Sequence, residues 1–463
     1  DILLESLSVH PDYTKIAGLS VRMEGTRTVK TAPSVRIRDL SVLPSPYVAG
    51  VFDFLLDRPF VLNASQETNR GCPYSCTFCD WGGNTYNKVT HMEEGRLWEE
   101  FAWFGRNKVE YIFNCDANYG ILPRDYDLTV KMIETRAKHG GYPRKFRMCT
   151  AKKSNDKIFA ITKLLSDADM NKGATLSFQS MDETTLDTVK RTNIKIDKFS
   201  ELMDRYRGAG IATYTELILG MPGETYESSK RGIDTLLDAQ ADAVNLYVYV
   251  CTMLPNSEMN NPLYVRLNGI KSVRMPILLA HSTPELELSE YQNVVVETKS
   301  MSREDWQRTY LFYWAVQALH CLGLVQHVAI LFHKQFGLKY SGFYEKLINY
   351  FTVDEKSLIG GEIALIRDVV SQSTKGGRLD MVNPKFGEIY WPLEEATFLN
   401  FVTNKERFFE EIRVFVGVLA QGLSDPVDKA LLDDLVIYQS SLVKDPYVSE
   451  LSVSLRYDLH GYF

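Results

Sequence analysis

Three cysteines, Cys72, Cys76 and Cys79, follow the spacing Cys-x3-Cys-x2-Cys inside a loop that also contains glycine and proline. Three thiolates on one short loop can each bind one iron of a [4Fe–4S] cube. The fourth iron then has no cysteine from this loop. An open coordination position is typical of a metal that takes part in chemistry, and Gly71, Gly82 and Gly83 let the backbone approach the inorganic sulfides.

Other uses of these cysteines fit the pattern less well. A structural zinc site normally has four tetrahedral ligands, and no histidine lies within ten residues of the three cysteines. A ferredoxin-type carrier uses four cysteines per cluster. Inert buried thiols are not expected three times on one Gly/Pro-containing loop. The sequence therefore predicts a cluster with one open iron and with Cys72, Cys76 and Cys79 as its metal ligands.

Strand-like and helix-like segments alternate around this loop, which is typical of βα units with a parallel sheet. The predicted strands are Phe60–Gln66, Val109–Cys115, Lys145–Thr150, Ala174–Phe178, Ala212–Leu219 and Ala243–Val250. The predicted helices between them are Glu93–Arg106, Asp125–His139, Lys157–Asp169, Phe199–Ala209 and Tyr226–Ala239. Right-handed crossovers bring the strand-to-helix loops to one face, where a barrel places its active site. The expected fold class is α/β, a partial (β/α)6 TIM-like barrel.

The rest of the chain divides around this barrel. Residues 1–59 are irregular and contain several prolines, residues 60–255 form the barrel, and residues 256–300 are a transition segment. Residues 301–463 are mainly helical by periodicity and form an expected C-terminal substrate or lid domain. Its predicted helices are Arg303–Gln335, Gly342–Tyr350, Ser357–Ser373, Leu393–Gln421 and Val427–Leu442, with a short hairpin over Gly376–Trp391.

The cysteine loop resembles the signature of the radical SAM superfamily, Cys-x3-Cys-x-aromatic-Cys, with Phe78 at the aromatic position. The resemblance covers most of residues 40–260, and its finer motifs are similar to those of the cobalamin-dependent branch. These motifs are Pro44–Gly50, Asp116–Gly120, Gln179–Asp182 with Lys190 and Arg191, Glu216–Thr225, and Leu254–Asn256.

The resemblance implies a chemistry and its cofactors. The open iron of a [4Fe–4S] cluster chelates S-adenosyl-L-methionine (SAM), and one electron cleaves the sulfonium to give a 5′-deoxyadenosyl radical. That radical removes hydrogen from an unreactive carbon. The cofactor performs the difficult step, while the protein positions it and excludes water. A low-potential electron donor of flavodoxin or ferredoxin type is implied as a partner.

The resemblance also implies residue roles. Cys72, Cys76 and Cys79 match the cluster ligands. The positions that match cofactor-binding residues are Phe78, Asp116, Asn118, Ser177, Gln179, Arg191, Glu216 and Ile218. Arg191 is chemically suited to a carboxylate, because guanidinium binds it through two hydrogen bonds. Asp116 and Asn118 stand where many members have Gly-Gly-Glu, and Glu216 replaces a common glycine.

The cobalamin-dependent branch usually carries a B12 domain before the barrel, but only 71 residues precede Cys72 here. The lower-ligand motif Asp-x-His-x-x-Gly is missing, and Asp458-Leu-His460-Gly461 only approximates it at the other end of the chain. Residues 1–59 resemble the linker that leaves such a domain, and the first residue is not methionine. We therefore expect a missing or truncated N-terminal domain.

Cys115, Cys149 and Cys251 fall at the C-terminal ends of predicted strands, where a barrel has its active site. Each is a candidate catalytic residue, as a hydrogen donor or a covalent nucleophile. A free cysteine is more often a small buried hydrophobic residue. The sequence alone leaves both interpretations open.

The composition limits which partners and which cellular location are expected for this chain. The formal net charge is −7, from 52 Lys plus Arg and 59 Asp plus Glu, and no long basic run offers a nucleic-acid patch. Clustered, odd-numbered cysteines and the lack of a signal peptide predict a cytoplasmic location. Residues 310–332 lack charge, but Gln317, His320, Gln326 and His327 favour buried helices over a membrane span.

The predicted function is methyl transfer to an unactivated carbon by a cobalamin-dependent radical SAM enzyme. One alternative is a radical rearrangement, cyclisation or oxidation without methyl transfer. The other is an iron–sulfur carrier or scaffold that never cleaves SAM. The substrate does not follow from the sequence.

Overall fold

The computed structural model describes residues 2–25, 27–35, 37–81, 88–151, 156–240, 245–284, 290–423, 426–444 and 451–463. Gly82 and Gly83 of the cysteine loop lie outside the described residues, as does the start of the predicted strand at Ala243. The N-terminal segment contains a short helix and a small antiparallel ribbon: α1 Ile2–Ser6, β1 Ser20–Arg22 and β2 Thr28–Lys30.

Strands and helices then alternate, as the sequence predicts. The strands are β3 Asn63–Gln66, β4 Asn69–Arg70, β5 Thr90–His91, β6 Tyr111–Asn114, β7 Lys145–Arg147, β8 Ala174–Gln179, β9 Thr213–Leu219 and β10 Asn245–Val250. The helices are α2 Glu94–Arg106, α3 Asp125–Lys138, α4 Asp156–Asp167, α5 Glu183–Thr188, α6 Ile196–Gly208 and α7 Tyr226–Gln240. The six predicted strands and five predicted helices are confirmed within a few residues. The short helix α5, which Asp182 caps by accepting a hydrogen bond from Thr185 N, was not predicted.

Six of these strands form two three-stranded parallel sheets, and β4 and β5 form a separate antiparallel pair. The first sheet has the order β3-β6-β7, and the second has the order β10-β9-β8. The Oγ1 of Thr150 donates to the carbonyl of Thr175 at 3.0 Å and links the two sheets where β7 and β8 meet. The coarse α/β prediction is therefore confirmed, with mixed helix and parallel sheet.

Each sheet has one face against helices and one open face. In β9, Leu217 and Leu219 are buried against the helices, while Tyr214, Glu216 and Ile218 point to the opposite side and are only half-buried. Alternation along a strand makes this division, because successive side chains point to opposite faces. The register pairs Ser177 with Glu216, and Glu216 with Tyr247. The open face of the second sheet is therefore polar.

The remaining elements follow in chain order. They are α8 Pro262–Asn268, β11 Lys271–Pro276, β12 Tyr291–Glu297, α9 Arg303–Ala315, α10 Gln326–Phe336, α11 Tyr340–Thr352, α12 Leu358–Ser373, β13 Met381–Val382, β14 Tyr390–Trp391, α13 Leu393–Thr403, α14 Lys405–Gln421, α15 Lys429–Leu442 and α16 Leu459–Tyr462. The hairpin β13–β14 confirms the one predicted over Gly376–Trp391. The antiparallel pair β11–β12 was not predicted.

Two predicted helices are each divided in two. The segment Arg303–Gln335 breaks after a π-helical turn, Val316–Cys321, and Gly323 has a φ of +77° that an α-helix does not allow. Buried polar groups of the turn find partners outside it. Gln317 donates to the carbonyl of Leu246, and His320 bonds the hydroxyl of Tyr344 at 2.8 Å. The segment Leu393–Gln421 breaks at Asn404, whose backbone leaves helical geometry.

None of the helices in the described ranges is by itself long and apolar enough to cross a bilayer. The stretch Arg303–Cys321 and the helix Gln326–Phe336 pass that test only together, and they are bent by 98°.

The hydrophobic core has two large parts. One runs from Leu40 to Met170 and lies under the first sheet. The other runs from Ala174 to Leu459 and joins the second sheet to the C-terminal helices without a break at residue 300. The second sheet is therefore packed directly onto the helical region.

Candidate functional site

The cysteine loop follows β3 and β4 and is attached to the second half of the molecule through Thr77. The amide of Thr77 donates to the carbonyl of Val189 at 3.0 Å, and its carbonyl accepts from the amide of Met259 at 2.8 Å. Its hydroxyl bonds the hydroxyl of Tyr264 at 3.1 Å. Cys72 and Cys76 are buried on either side of the loop, and Cys79 is partly exposed.

Asp116 holds the start of this loop. Its carboxylate accepts from the amide of Thr68 at 2.7 Å, from the amide of Asn69 at 3.0 Å and from the Nδ2 of Asn69 at 2.8 Å, and it also bonds the hydroxyl of Thr68. Burial raises the pKa of Asp116 to about 6, although these hydrogen bonds oppose the rise. Both carboxylate oxygens are therefore used inside the protein.

Asn118, two residues later, contacts a cysteine directly. Its Nδ2 donates to the Sγ of Cys72 at 3.1 Å. Its Oδ1 is buried and has no hydrogen-bond partner in the described residues. A buried amide oxygen without a donor is uncommon, and such groups often mark a place where a ligand or water binds.

Arg191 lies on the other side of the loop. Its side chain is buried and donates to the carbonyls of Ser177 and Phe178 and to the Oδ1 of Asn193. Burial lowers the pKa of Arg191, while a hydrogen bond to Cys76 and the nearby charge of Glu216 act in the opposite direction. A guanidinium therefore stands beside the second cysteine of the loop.

A cavity of about 240 Å³ is lined by residues of both sheets, and two of its lining residues, Asn118 and Arg191, bond Cys72 and Cys76 of the cysteine loop. Five of the predicted cofactor-binding residues line it: Asn118, Ser177, Gln179, Arg191 and Glu216. Ser177 donates its hydroxyl to the carboxylate of Glu216 across the strand pair. Gln179 has a φ of +69° at a bulge in β8, which turns the chain at the cavity wall. These residues are far apart in sequence and meet here.

Phe78 and Ile218 lie together in a small apolar cluster. Both are partly buried and pack against a core made of Val189, Met221, Cys251, Met253, Met259, Ile270 and Val295. The aromatic ring of the cysteine loop and the aliphatic side chain of β9 thus share one apolar seat. Asp116 does not line the cavity, because its carboxylate faces Thr68 and Asn69.

The three other candidate cysteines lie in different surroundings. Cys149 lines the 240 Å³ cavity. Cys115 lines a second cavity, of about 430 Å³, next to Pro44 and Pro46. Cys251 is fully buried, its Sγ lies 3.5 Å from the Sδ of Met259, and burial raises its pKa to about 12. Partial desolvation also raises the pKa of Cys149, although its side chain is exposed. The surroundings of Cys251 and Cys149 thus disfavour the thiolate form.

The surroundings of the cysteine loop are compatible with a [4Fe–4S] cube, which binds each cysteine through a different iron. In the described residues, no three His, Cys, Asp or Glu side chains converge closely enough to hold one metal ion. The donors at Cys72 and Cys76 are of the kind that stabilise cluster thiolates.

The histidine motif near the C-terminus has a local structural role. Asp458 caps α16 by accepting a hydrogen bond from the amide of Gly461 at 2.9 Å. His460, within the same short helix, is exposed. This arrangement does not resemble a lower ligand for cobalamin, so we assign no residue to that cofactor.

Sequence reasoning missed three residues of this region. Arg147 lines the cavity from the end of β7, where its position at a strand end could have identified it. Asn193 fixes the guanidinium of Arg191 and lies two residues after it. Glu224 is fully buried, accepts from the hydroxyl of Ser180 at 3.0 Å, and burial raises its pKa to about 8. No local sequence signal predicts that burial.

Comparison with protein families gives one match in the region that surrounds the cysteine loop. Residues 67–234 match the model described as the radical SAM superfamily.

Two curated proteins are similar over the whole chain. The cobalamin-dependent radical SAM methyltransferase TokK of Streptomyces tokunonensis is 37% identical, and the alignment covers 100% of this chain and 70% of TokK. The 2-(S-pantetheinyl)-carbapenam-3-carboxylate methyltransferase of Streptantibioticus cattleyicolor is 35% identical, with the same coverage of the two chains.

Solved structures are similar at lower identity. The cobalamin-dependent SAM radical enzyme OxsB, with aqua-cobalamin and SAM bound, matches with a TM-score of 0.44 and 13% identity, over 95% of this chain and 65% of OxsB. The radical SAM methyltransferase TsrM of Kitasatospora setae matches with a TM-score of 0.42 and 16% identity, over 53% of this chain and 50% of TsrM.

Proposed function

We propose residue roles and a substrate class for this chain from the premise that it belongs to the cobalamin-dependent radical SAM methyltransferases. The chain is an enzyme of that family, and its cofactors are a [4Fe–4S] cluster, SAM and cobalamin. When bound, the cluster supplies the electron that opens the sulfonium of SAM, and cobalamin supplies the methyl carrier. The paragraphs below concern what this chain's own residues do.

Cys72, Cys76 and Cys79 are the proposed cluster ligands. The observation that carries the proposal is that two residues lining one cavity, Asn118 and Arg191, bond two of these cysteines. Asn118 donates to Cys72 and Arg191 stands beside Cys76, so two of the sulfurs have polar donors. Such donors stabilise negative charge on thiolates in a partly buried site.

The cavity is the proposed site of SAM. Arg191 supplies a guanidinium for a carboxylate, and Glu216 supplies acceptors for hydroxyl groups such as those of a ribose. Gln179 and Ser177 add polar groups at the same wall, and Phe78 with Ile218 offers an apolar seat for an adenine ring. Asp116 belongs to this set as a positioning residue, since its carboxylate holds the loop that carries Cys72.

The six parallel strands are proposed to act as a partial (β/α)6 barrel over residues 60–255, with the cysteine loop at its C-terminal face. Support comes from the two sheets, whose open faces border the same cavity. Residues 301–463 are proposed as the substrate or lid domain and residues 256–300 as the connection to it. Residues 1–59 are proposed as a linker. The shared core of the second sheet and the helices supports a rigid connection between barrel and lid.

The proposed reaction is methyl transfer to an unactivated carbon of a pantetheinylated carbapenam carboxylate. The name of the relative from Streptantibioticus cattleyicolor supplies this substrate class, and that relative is 35% identical over the whole of this chain. A low-potential flavodoxin or ferredoxin is the proposed electron donor. Cys115, Cys149 and Cys251 remain candidate hydrogen donors, and Cys149 is favoured because it lines the cavity.

One anaerobic assay tests this proposal. The reconstituted protein is mixed with SAM, a low-potential reductant, cobalamin and 2-(S-pantetheinyl)-carbapenam-3-carboxylate, and the products are quantified by mass spectrometry. Methyl transfer predicts both 5′-deoxyadenosine and S-adenosylhomocysteine, together with a substrate in which one hydrogen is replaced by methyl.

The same assay separates the alternatives. A radical rearrangement without methylation would give 5′-deoxyadenosine but no S-adenosylhomocysteine. An iron–sulfur carrier would give neither nucleoside. Methylation of other acceptors but not of the carbapenam would keep the reaction class and reject the proposed substrate.

A further inference from the structure

The side chain of Asn118 reaches from the cavity to the sulfur of Cys72. It lines the 240 Å³ cavity, it is only 2% exposed, and its Nδ2 lies 3.1 Å from the Sγ of Cys72. Its Oδ1 is buried and has no partner in the described residues. The Nδ2 of the amide is therefore bonded, and its Oδ1 lacks a hydrogen-bond donor in the described residues.

The orientation of the amide follows from the chemistry of its partner. A cysteine that binds iron is a thiolate, which accepts hydrogen bonds and cannot donate them. The NH2 group of Asn118 must therefore face Cys72, and the carbonyl must face away. Leaving that carbonyl unpaired in the protein interior is unfavourable, and a bound donor would remove this cost.

We propose that Asn118 couples nucleotide binding to the cluster: a hydrogen-bond donor of bound SAM that reaches Oδ1 strengthens the bond from Nδ2 to Cys72 and raises the cluster's reduction potential. The inference rests on the proposed cluster at Cys72, Cys76 and Cys79. It goes further by naming a residue that controls when the cluster accepts its electron.

The direction of the effect follows from charge. The reduced cluster is more negative than the oxidised one, so an N–H donor at a cysteine sulfur stabilises the reduced form more and raises the reduction potential. Hydrogen bonds in a chain polarise one another, so a donor at Oδ1 makes the N–H of the same amide a better donor. The electron is then accepted more readily when the nucleotide is in place.

Cys76 lacks this kind of switch. Its partner is Arg191, which carries a full charge whether the cavity is filled or empty and is fixed by Ser177, Phe178 and Asn193. A neutral amide changes its donor strength when its carbonyl is bonded, but a fixed cation does so far less. The coupling is therefore expected at Cys72.

The experiment is a potentiometric titration of the [4Fe–4S] signal by electron paramagnetic resonance, with and without SAM, on the wild type, Asn118→Leu and Asn118→Asp. The wild-type midpoint potential should rise when SAM is added. Both variants should start at a lower potential, because both lose the donor to Cys72, and their shift on adding SAM should be smaller than that of the wild type.

Asn171→Leu is the matched control. Asn171 also has a bonded Nδ2, to the carbonyl of Thr162 at 3.2 Å, and a buried Oδ1 without a partner in the described residues, but it follows α4 and does not line the cavity. Its substitution removes a similar amide and should leave the potential and the SAM-dependent shift at wild-type values.

Equal potentials and equal shifts in the wild type and the Asn118 variants would overturn the inference. Loss of the cluster from both Asn118 variants, with Asn171→Leu intact, would also overturn it, because Asn118 would then be part of the scaffold. If the wild type itself forms no [4Fe–4S] cluster, the proposed function fails. A wild type that holds a cluster and cleaves SAM, with no effect of Asn118, rejects the coupling alone.

Discussion

The loop that carries Cys72, Cys76 and Cys79 touches the first parallel sheet on one side and the second on the other, and the two contacts differ in kind. On the first side, Asp116 and Asn118, which follow β6, bind the loop through short polar contacts. On the second side, the contacts are Arg191 at Cys76, the backbone of Thr77, and the apolar seat of Phe78.

The hydrophobic cores beneath the two sheets also differ. The first sheet has its own core, from Leu40 to Met170, while the second shares one core with the C-terminal helices. A movement of the helical region can therefore reach Arg191 through packed side chains, whereas Asn118 follows a strand of the first sheet, which has a separate core. The comparison indicates that the first side fixes the loop and that the second side connects it to the proposed substrate domain.

The largest effect is expected when a proposed cluster ligand on the second side is removed by substitution. Cys76→Ala should abolish the cluster and all cleavage of SAM, because two remaining thiolates cannot hold the cube on this loop. Iron and sulfide analysis and the yield of 5′-deoxyadenosine measure the loss. Cys321→Ala, at a partly buried cysteine of the π-helical turn, is the control and should keep both. Wild-type cleavage by Cys76→Ala would reject the ligand assignment.

A smaller effect is expected when the hydrogen bonds of Asp116 on the first side are removed. Asp116→Ala leaves the amides of Thr68 and Asn69 without their acceptor, and each buried donor left unpaired costs about 1–3 kcal/mol. The cysteine loop should loosen, so iron content should fall below the wild-type value and the melting temperature should drop.

Asp116→Asn is the matched variant for this prediction. It keeps one acceptor oxygen and the shape of the side chain, so its iron content should lie between those of Asp116→Ala and the wild type. Normal iron content and stability in Asp116→Ala would contradict the idea that the first side fixes the loop.

The sequence predicted the strands of both sheets well, because their apolar runs are short and are bounded by turn residues. It also predicted five of the residues that meet at the cavity, by resemblance to a family. It did not predict the break at Gly323 or the β11–β12 pair. The break depends on tertiary partners of the π-helical turn before it, Leu246 for Gln317 and Tyr344 for His320, that no local pattern contains.

The buried hydrogen bonds of Asp116 and Glu224 were the least predictable part of the site. Asp116 was expected to bind a cofactor, but its partners Thr68 and Asn69 lie more than 40 residues earlier and become neighbours only when β3 pairs with β6. Glu224 lies within the motif Glu216–Thr225, in which Thr225 caps α7 by accepting from the amide of Ser228 at 3.0 Å. That motif does not predict that Glu224 is buried and bonded to Ser180.

The smallest expected effect concerns Glu224 on the second side, which accepts a hydrogen bond from Ser180. Burial raises its pKa to about 8 from an ordinary value of 4.5, against the hydrogen bond from Ser180, while Asp182 adds to the rise. The folded protein thus holds a proton that the unfolded chain has lost between pH 4.5 and about 8. Stability should therefore fall as the pH rises through that window.

Glu224→Gln tests this directly, because the amide keeps an acceptor for Ser180 and does not titrate. Its melting temperature should depend less on pH than that of the wild type. At about pH 9 the variant should be the more stable of the two by up to a few kcal/mol, because one pKa unit corresponds to about 1.4 kcal/mol. Glu224→Ala should also lose the pH dependence, but it should be less stable at about pH 5, because it leaves a cavity beside Ser180. Parallel curves for the wild type and Glu224→Gln would mean that this carboxyl is not held neutral, and that the second side of the loop is more open to water than its packing indicates.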